Sequence, residues 1–407
     1  MQVILSANLS HYHYTAKALS KANYLKYYIC AITMKNKQSL LYKILPEYWR
    51  KKLQGREILD IDKQKIKSLW LPELLQVGLP RIHLISSERG NWINNYLYDW
   101  MASQWVGKCD IFHFVSSIGY YSGRKAKREG AILICDERTE YPDFQRQIIE
   151  EEYDKLEIKF NPPGLLYDDK IKSEYSLSDY IILPSSYAKQ TFIDAGFKPK
   201  KIFVVPYGIN LQKFHPVGEN YKSDNIFRII YVGQIIPRKG VHYLIEAFER
   251  LKLSKTELLL IGPIDESMKS FIDKRTKYNS KIKAIGAVPK IELLKYYSRG
   301  SVFVLPSIAD AQPLACFEAM ACGLPVIVTE NTGSKEIVRD GKDGFIIPIR
   351  DVDVLMEKIC FLYKNKSICK QMGKSSKLRV QEFTWQRYEE QILKVYKKVI
   401  QLEGINK

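Results

Sequence analysis

Two α/β domains in tandem, each a Rossmann-like parallel sheet with helices on both faces, are what this 407-residue chain predicts. Three observations carry the prediction. The length is generous for one domain and ordinary for two. Short, almost wholly apolar segments alternate with helical patterns, as buried parallel strands do. The punctuation between them falls where helices should start and stop, with Pro313 ahead of one apolar run and Gly323 behind it.

In the first half the apolar segments lie at residues 3–6, 27–32, 82–85, 111–115, 132–135 and 180–183, with a further strand at 203–206. The run from Pro142 through Gln145, Ile148, Ile149 and Tyr153 has helical spacing. Residues 208–224, with Pro216 and Gly218, read as the interdomain linker. The second half reads as strands at 229–232, 257–261, 282–285, 302–305 and 326–329. Helices at 241–251, 268–277, 291–298 and 314–322 separate them. Thr384 then caps a last helix in which Trp385, Tyr388, Ile392, Val395, Tyr396 and Val399 share one face.

Two loops carry candidate chemistry. After strand 302–305 comes Pro306-Ser-Ile-Ala-Asp310-Ala-Gln-Pro313, then a helix holding Glu318. Helix-end amides at the carboxyl edge of a parallel sheet suit phosphates, with Leu314 and Ala315 as donors. Glu318 is placed to accept hydrogen bonds from a ribose diol, and Asp310 lies nearer a reacting carbon. After strand 229–232 comes Gly233-Gln-Ile-Ile-Pro-Arg-Lys-Gly240. Arg238 and Lys239 there suit a diphosphate that leaves with negative charge. The bland alternative is a pair of βα units with solvated acids and cations. The two loops together favour function.

The chain resembles the family-4 (group 1) retaining glycosyltransferases, which have the GT-B fold. The matching pieces are Val205-Pro-Tyr-Gly-Ile-Asn210, Tyr231-Val-Gly233 with Pro237-Arg-Lys-Gly240, Leu305-Pro-Ser307, Glu318-Ala-Met-Ala-Cys-Gly-Leu-Pro-Val-Ile327 and Asp340-Gly-Lys-Asp-Gly-Phe345. They are dense from about residue 175 to 385 and specific in combination. The resemblance implies an acceptor-binding domain at 1–207 and a nucleotide-sugar-binding domain at 208–384, facing a central cleft. It implies that helix 385–407 crosses back onto the first domain. The implied activity is transfer of a sugar from a nucleotide-diphosphate sugar to a glycan or lipid-linked acceptor, as in cell-surface polysaccharide or glycolipid synthesis. Neither a covalent protein nucleophile nor a metal or other cofactor is implied, and same-face displacement is the usual proposal.

By the same resemblance Lys239 and Asp310 are catalytic, and His113, at the end of strand 111–115, faces the cleft as a third such residue. Gln234, Arg238, Leu314, Ala315 and Glu318 line the donor site. The base lies against backbone at Ala287 and Val288. Three departures bear on specificity. The first loop, Ser6-Ala-Asn-Leu-Ser10, lacks the family's glycines, Gln234 replaces an arginine, and Asp310-Ala-Gln-Pro313 replaces Glu-Gly-Phe-Gly. Two other classes stay open: a different GT-B enzyme such as a sugar-nucleotide epimerase or phosphorylase, and a non-catalytic nucleotide-sugar- or membrane-binding module.

The formal charge is +18, so acidic partners are expected. Residues 1–135 hold 20 Lys and Arg against 9 Asp and Glu. Within them, residues 41–53 interleave Tyr48 and Trp49 with Lys43, Arg50, Lys51 and Lys52. Such a segment suits an anionic membrane surface as well as it suits an ordinary helix. No nucleic-acid-binding motif accompanies the charge. Nothing resembles a signal peptide or a spanning segment, and the seven cysteines are scattered, so a cytoplasmic protein is expected, with peripheral membrane contact an option. His11 and His13 stand in the first loop within reach of an acceptor. His83, His215 and His242 have no constellation. Asp60-Ile-Asp62 and Asp351-Val-Asp353 imitate a metal motif without following a buried strand, so neither is taken for a metal site.

Overall fold

A computed structural model of the chain describes residues 1–31, 60–81, 84–159, 165–215 and 224–404. The basic-aromatic stretch 41–53, His83 and the middle of the expected linker lie outside the described residues.

Seven strands form the first sheet: β1 (Val3–Ala7), β2 (Leu25–Cys30), β3 (Ile66–Ser68), β4 (Ile111–Val115), β5 (Ile132–Asp136), β6 (Tyr180–Leu183) and β7 (Ile202–Val204). Their order is β3-β2-β1-β4-β5-β6-β7, and every pairing is parallel. The second sheet holds β8 (Phe227–Val232), β9 (Thr256–Ile261), β10 (Ile282–Gly286), β11 (Val302–Leu305), β12 (Val326–Thr329) and β13 (Gly344–Ile347). It runs β10-β9-β8-β11-β12-β13, again all parallel. Helices cover both faces, so the central strands are buried along their length and are mostly apolar, with His113 in β4 and Arg228 in β8 as buried exceptions. This is the GT-B architecture.

In each sheet the chain winds outward, then returns to the middle. The first reversal separates β1 from β4 and the second separates β8 from β11. Loops leaving the carboxyl ends of such neighbours diverge and open a crevice. In the second sheet those loops are the basic turn after β8 and the acidic loop after β11, brought side by side by the register Val302↔Ile229 and Phe303↔Ile230.

The last helix, Trp385–Leu402, returns to the first domain as expected. Thr384 caps it by accepting from the Arg387 amide at 3.2 Å. Tyr388, Ile392, Val395, Tyr396 and Val399 are buried in the first core, each contributing roughly 1.5–3 kcal/mol of apolar burial at most. Trp385 stacks on Tyr14 with ring centroids 4.1 Å apart, and Thr15 bonds Tyr388 at 2.8 Å.

Further ties cross between domains. Glu152, on the helix Pro142–Lys155, is 0% exposed and is bonded by His242 Nε2 at 2.7 Å and Arg350 Nε at 2.8 Å. Burial alone would raise its pKa. The bonds from His242, Tyr243 and Arg350 more than offset that and hold it below the usual carboxylate value. His242, expected to have no constellation, is thus part of an interdomain cluster. Glu336 accepts from the Ser186 amide and, at 2.7 Å, from the Ser186 hydroxyl, both at the start of the helix Ser186–Asp194.

Of the expected strand at 82–85, residues 82 and 83 lie outside the described residues. Its described residues, Leu84 and Ile85, form a bend between the helices Trp70–Arg81 and Ser87–Ser103. The two Asp-x-Asp stretches have ordinary roles: Asp62 and Asp351 cap helical turns, and Asp60 and Asp353 pair with Lys17 and Arg250. Six cysteines are buried, Cys360 is half-buried, and none is paired in a disulfide.

Candidate active site

The basic loop after β8 is a short turn, Pro237–Lys239, closed by Gly240 at φ 63°. Only glycine fits there. A Cβ on Gly240 would sit 2.0 Å from the Pro306 carbonyl oxygen, so the basic turn is pressed against the start of the acidic loop. The Ile308 amide donates to the Arg238 carbonyl at 2.8 Å, and Arg238 Nη1 donates to the Ala309 carbonyl at 2.6 Å. The acidic loop is pinned from its other side. Asp310 bridges to Thr332, and the Gly333 amide donates to the Asp310 carbonyl at 2.9 Å. A Cβ on Gly333 would meet the Ala311 oxygen at 2.0 Å.

Within this frame Lys239 and Asp310 form an ion pair, both largely buried. Burial pulls the Lys239 ammonium below its ordinary pKa, Arg238 acts the same way, and Asp310 opposes both. Lys239 is therefore not in an exposed loop. Arg238 spends its guanidinium on the neighbouring loop instead of reaching into solvent. Gln234 is exposed, and its carbonyl accepts from the Tyr231 hydroxyl at 2.7 Å.

The helix after the acidic loop is Leu314–Ala321, and Pro313 is its N-cap rather than its first residue. Leu314 and Ala315 open the helix half-buried, where backbone amides have no partner within the helix. Glu318 is 4% exposed. Lys290 Nζ lies 2.8 Å from its Oε1, and the Tyr297 hydroxyl donates to its Oε2 at 3.2 Å. Lys290 opens the helix Lys290–Arg299, just after Ala287 and Val288 on the loop that leaves β10. Ala287 is exposed and Val288 half-buried against the second core. The expected base loop and the expected ribose acid thus meet in one corner through Lys290.

Gln312, part of the departure in the acidic motif, accepts from the Tyr207 amide at 2.7 Å. It ties the acidic loop to the segment leaving the first domain. Ala311 is buried in the first domain's core cluster, so this loop also bridges the cleft.

His113 corrects an expectation. It is 0% exposed, with Nδ1 2.5 Å from the Tyr396 hydroxyl and Nε2 3.2 Å from Asp136 Oδ2. The Tyr12 hydroxyl donates to the other Asp136 oxygen at 2.8 Å. Both ring nitrogens are engaged under the returning helix, so His113 anchors that helix and does not face the cleft. His11 does sit among aromatic rings at the domain junction, its centroid 5.0 Å from Tyr207 and 6.4 Å from Trp385. Two further residues of the first domain, Glu140 and Tyr187, come up to the acidic and basic loops. No local spacing announced them.

The arrangement gathers two cations, a helix amino end and two acids around the crevice of one parallel sheet. Residues 215–379 match the family described as glycosyl transferases group 1. The second domain belongs to the group 1 glycosyl transferases. The chain is 28% identical over 242 residues to an uncharacterized glycosyltransferase of Methanocaldococcus jannaschii, covering 58% of this chain and 66% of that protein. It is 30% identical over 226 residues to a capsular polysaccharide biosynthesis glycosyltransferase of Staphylococcus aureus, covering 51% of this chain and 58% of that one. The chain thus spans less than two thirds of these relatives' own length. Among solved structures, Anabaena HepE in complex with UDP and glucose matches with a TM-score of 0.67 at 12% identity, covering 98% of this chain and 100% of that one. That likeness extends the fold of this glycosyl transferase domain to the whole two-domain body.

Proposed function

We propose that the protein is a retaining glycosyltransferase that moves a sugar from a nucleotide-diphosphate sugar to a glycan or lipid-linked acceptor in cell-surface polysaccharide synthesis. The observation that carries this is the meeting of Lys239, Arg238 and the Asp310 loop where β8 and β11 diverge, with Glu318 in the helix that follows that loop. Lys239 and the amide end at Leu314 and Ala315 stabilise the leaving diphosphate, and charge developing in the transition state is where a fixed site helps most. Arg238 holds the acidic loop in place. Glu318 takes the ribose and the backbone at Ala287 and Val288 the base. Asp310 binds sugar hydroxyls and offsets positive charge at the anomeric carbon. The bond from that carbon to the diphosphate breaks, the acceptor oxygen bonds on the same face, and the acceptor's proton departs with the nucleoside diphosphate. The capsular polysaccharide relative supports the biosynthetic setting.

The test is transfer from a panel of labelled nucleotide sugars to polyprenyl-diphosphate-linked and soluble sugar acceptors, with the product anomer read by NMR. An α-linked product from an α-linked donor is expected. An epimerised donor formed without acceptor would assign the site to an epimerase. Nucleotide binding with no turnover on any acceptor would favour a binding module.

We further propose that the first domain works at the cytoplasmic face of an anionic membrane. Among the described residues no helix is long and apolar enough to cross one. The basic excess of residues 1–135 supports surface contact, as do the exposed Trp70 and Trp105, the latter with Lys67 Nζ 4.7 Å from its ring. Sedimentation with liposomes should rise with anionic lipid, fall with salt and weaken when Arg50, Lys51 and Lys52 become Gln. Binding that ignores salt, or none at all, leaves a soluble acceptor as the better account.

A further inference from the structure

We propose that Glu140 and Tyr187, both from the first domain, complete the donor site by holding hydroxyl groups of the transferred sugar opposite Asp310. The inference deepens the donor-site assignment above and rests on it.

It starts from two buried polar atoms. Glu140 is 1% exposed and Tyr187 is 6% exposed. Neither Oε1 of Glu140 nor the hydroxyl of Tyr187 finds a hydrogen-bond partner in any other residue. Buried polar groups are nearly always satisfied, so a pair of exceptions in one place asks for a ligand or ordered water.

Both are held from outside their own loops. Glu140 stands two residues before the helix Pro142–Lys155, which packs on the turn Pro237–Lys239. Ile148 of that helix packs against Ile308 and Ala309, directly before Asp310. Gln145 Nε2 donates to Glu140 Oε2 at 2.7 Å, which fixes the carboxyl and leaves the other oxygen free. Tyr187 is in the first turn of the helix Ser186–Asp194. Its amide donates to Glu336 of the second domain at 3.3 Å, Lys335 Nζ stands 5.6 Å from its ring, and Phe144 packs edge-on at 6.3 Å. The two polar groups are thus set by residues of both domains.

They also share one electrostatic neighbourhood with the catalytic loops. Burial raises the pKa of both groups. Asp310 raises each further, Arg238 opposes, and Glu140 adds to the shift at Tyr187. The ligand chemistry follows. A carboxyl oxygen accepts and a phenol donates or accepts, which suits neighbouring hydroxyls of a sugar. A diphosphate does not fit, because Glu140 and Asp310 would both repel it. Glu140 and Tyr187 therefore bear on which sugar is accepted and leave the nucleotide to the second domain.

The test uses Tyr187→Phe and Glu140→Gln in the full chain. Binding of UDP, GDP, UDP-glucose, UDP-galactose, UDP-N-acetylglucosamine and GDP-mannose is measured by calorimetry, and kcat/KM for transfer on the preferred donor. Each variant should keep its affinity for the free diphosphate. Each should lose about tenfold in affinity or kcat/KM for the sugar nucleotide, the scale of one or two hydrogen bonds. Tyr187→Phe removes no bond made within the fold, so its melting temperature should stay put, and it decides the matter if Glu140→Gln folds poorly. Unchanged discrimination between diphosphate and sugar nucleotide in Tyr187→Phe, in an active parent, overturns the inference alone. Equal losses on both ligands also overturn it, by moving the contact to the phosphates. A parent protein that binds and turns over none of these donors brings down the donor-site assignment and this inference with it.

Discussion

Lys239 and Asp310, assigned to the leaving diphosphate and to the sugar, neutralise each other across the turn after β8 and the loop after β11. The second acid is held in the same manner, with Lys290 on Glu318 at 2.8 Å. Asp310 and Glu318 therefore each have a lysine partner. On the proposed function, donor binding exchanges these internal pairs for pairs with phosphate and ribose. Specific affinity is then the difference between two sets of charge-assisted bonds, with Lys239 on both sides of that balance and Lys290 only on the internal side.

The first consequence concerns Lys239. Lys239→Ala should lower turnover by roughly 100- to 1000-fold, the range for one preorganised electrostatic contact. It should also destabilise the fold by about 1–3 kcal/mol, since it leaves the largely buried Asp310 without its partner. Asp310→Asn should keep nucleoside diphosphate binding and lose most transfer. Combining the two should recover stability without recovering turnover. Urea denaturation of both single variants and the double variant measures the coupling. Strictly additive stability losses would mean that the pair is not a unit.

At Glu318 the two partners make opposite predictions. Glu318→Ala should weaken nucleoside diphosphate binding by about 1.5–3 kcal/mol, the usual worth of a hydrogen bond to a charged group. Lys290→Met should tighten it severalfold, because the exposed Lys290 ammonium no longer competes for the carboxylate. Calorimetry at low and high salt separates these effects. Weaker binding in Lys290→Met would make Lys290 a phosphate ligand instead of a competitor.

How much of this was legible follows from where the information sits. β8, β11 and β12 are buried on both faces and carry apolar runs at 229–232, 302–305 and 326–328, so their places were plain. β3 and β13 lie at the sheet edges. They are short and half-buried, and Ile66-Lys-Ser68 carries no such run. Leu84 and Ile85 are apolar yet form a bend between two helices, and periodicity over a few residues does not tell these cases apart. Lys239, Asp310 and Glu318 were legible because each loop is local and punctuated by Gly and Pro. Glu140, Tyr187 and Lys290 reach their places by packing between distant segments and leave no spacing to read. His113 misled for a related reason. Every residue of β4 is buried, so position on the strand does not say whether a side chain meets the cleft or the returning helix.

That makes His113 a test of structure against catalysis. His113→Ala would leave Tyr396 and Asp136 without their partner in a closed interior, and should cost about 2–5 kcal/mol, the scale of large core truncations and broken buried networks. Tyr396→Phe should lose part of the same energy, with the double variant less than additive because both remove one bond. Any folded fraction of Tyr396→Phe should transfer sugar at nearly the parent rate. A stable His113→Ala protein with selectively abolished turnover would return His113 to the site.

Acid should destabilise the junction through His11. Burial, assisted by Arg138 and His13, lowers the pKa of His11 to about 3 from its ordinary 6.5. The folded protein thus keeps this ring neutral while the unfolded chain protonates it. The unfolded state binds the extra proton below pH 6.5, so the contribution is full above that value and is lost as pH falls toward 3. Other groups titrate too. Glu174, pushed up to about 8 by burial, runs the other way between 4.5 and 8, since the folded state there holds the proton and stability falls as pH rises. A difference measurement removes it. Melting temperature is followed from pH 8 to pH 5 for the parent and for His11→Gln, which keeps a polar side chain but does not titrate. The parent should lose more on acidification than the variant, with the gap opening below about pH 6.5. Parallel curves would show that His11 is protonated in the folded protein as readily as in the unfolded chain, and that the aromatic surroundings at the junction do not seal it from water.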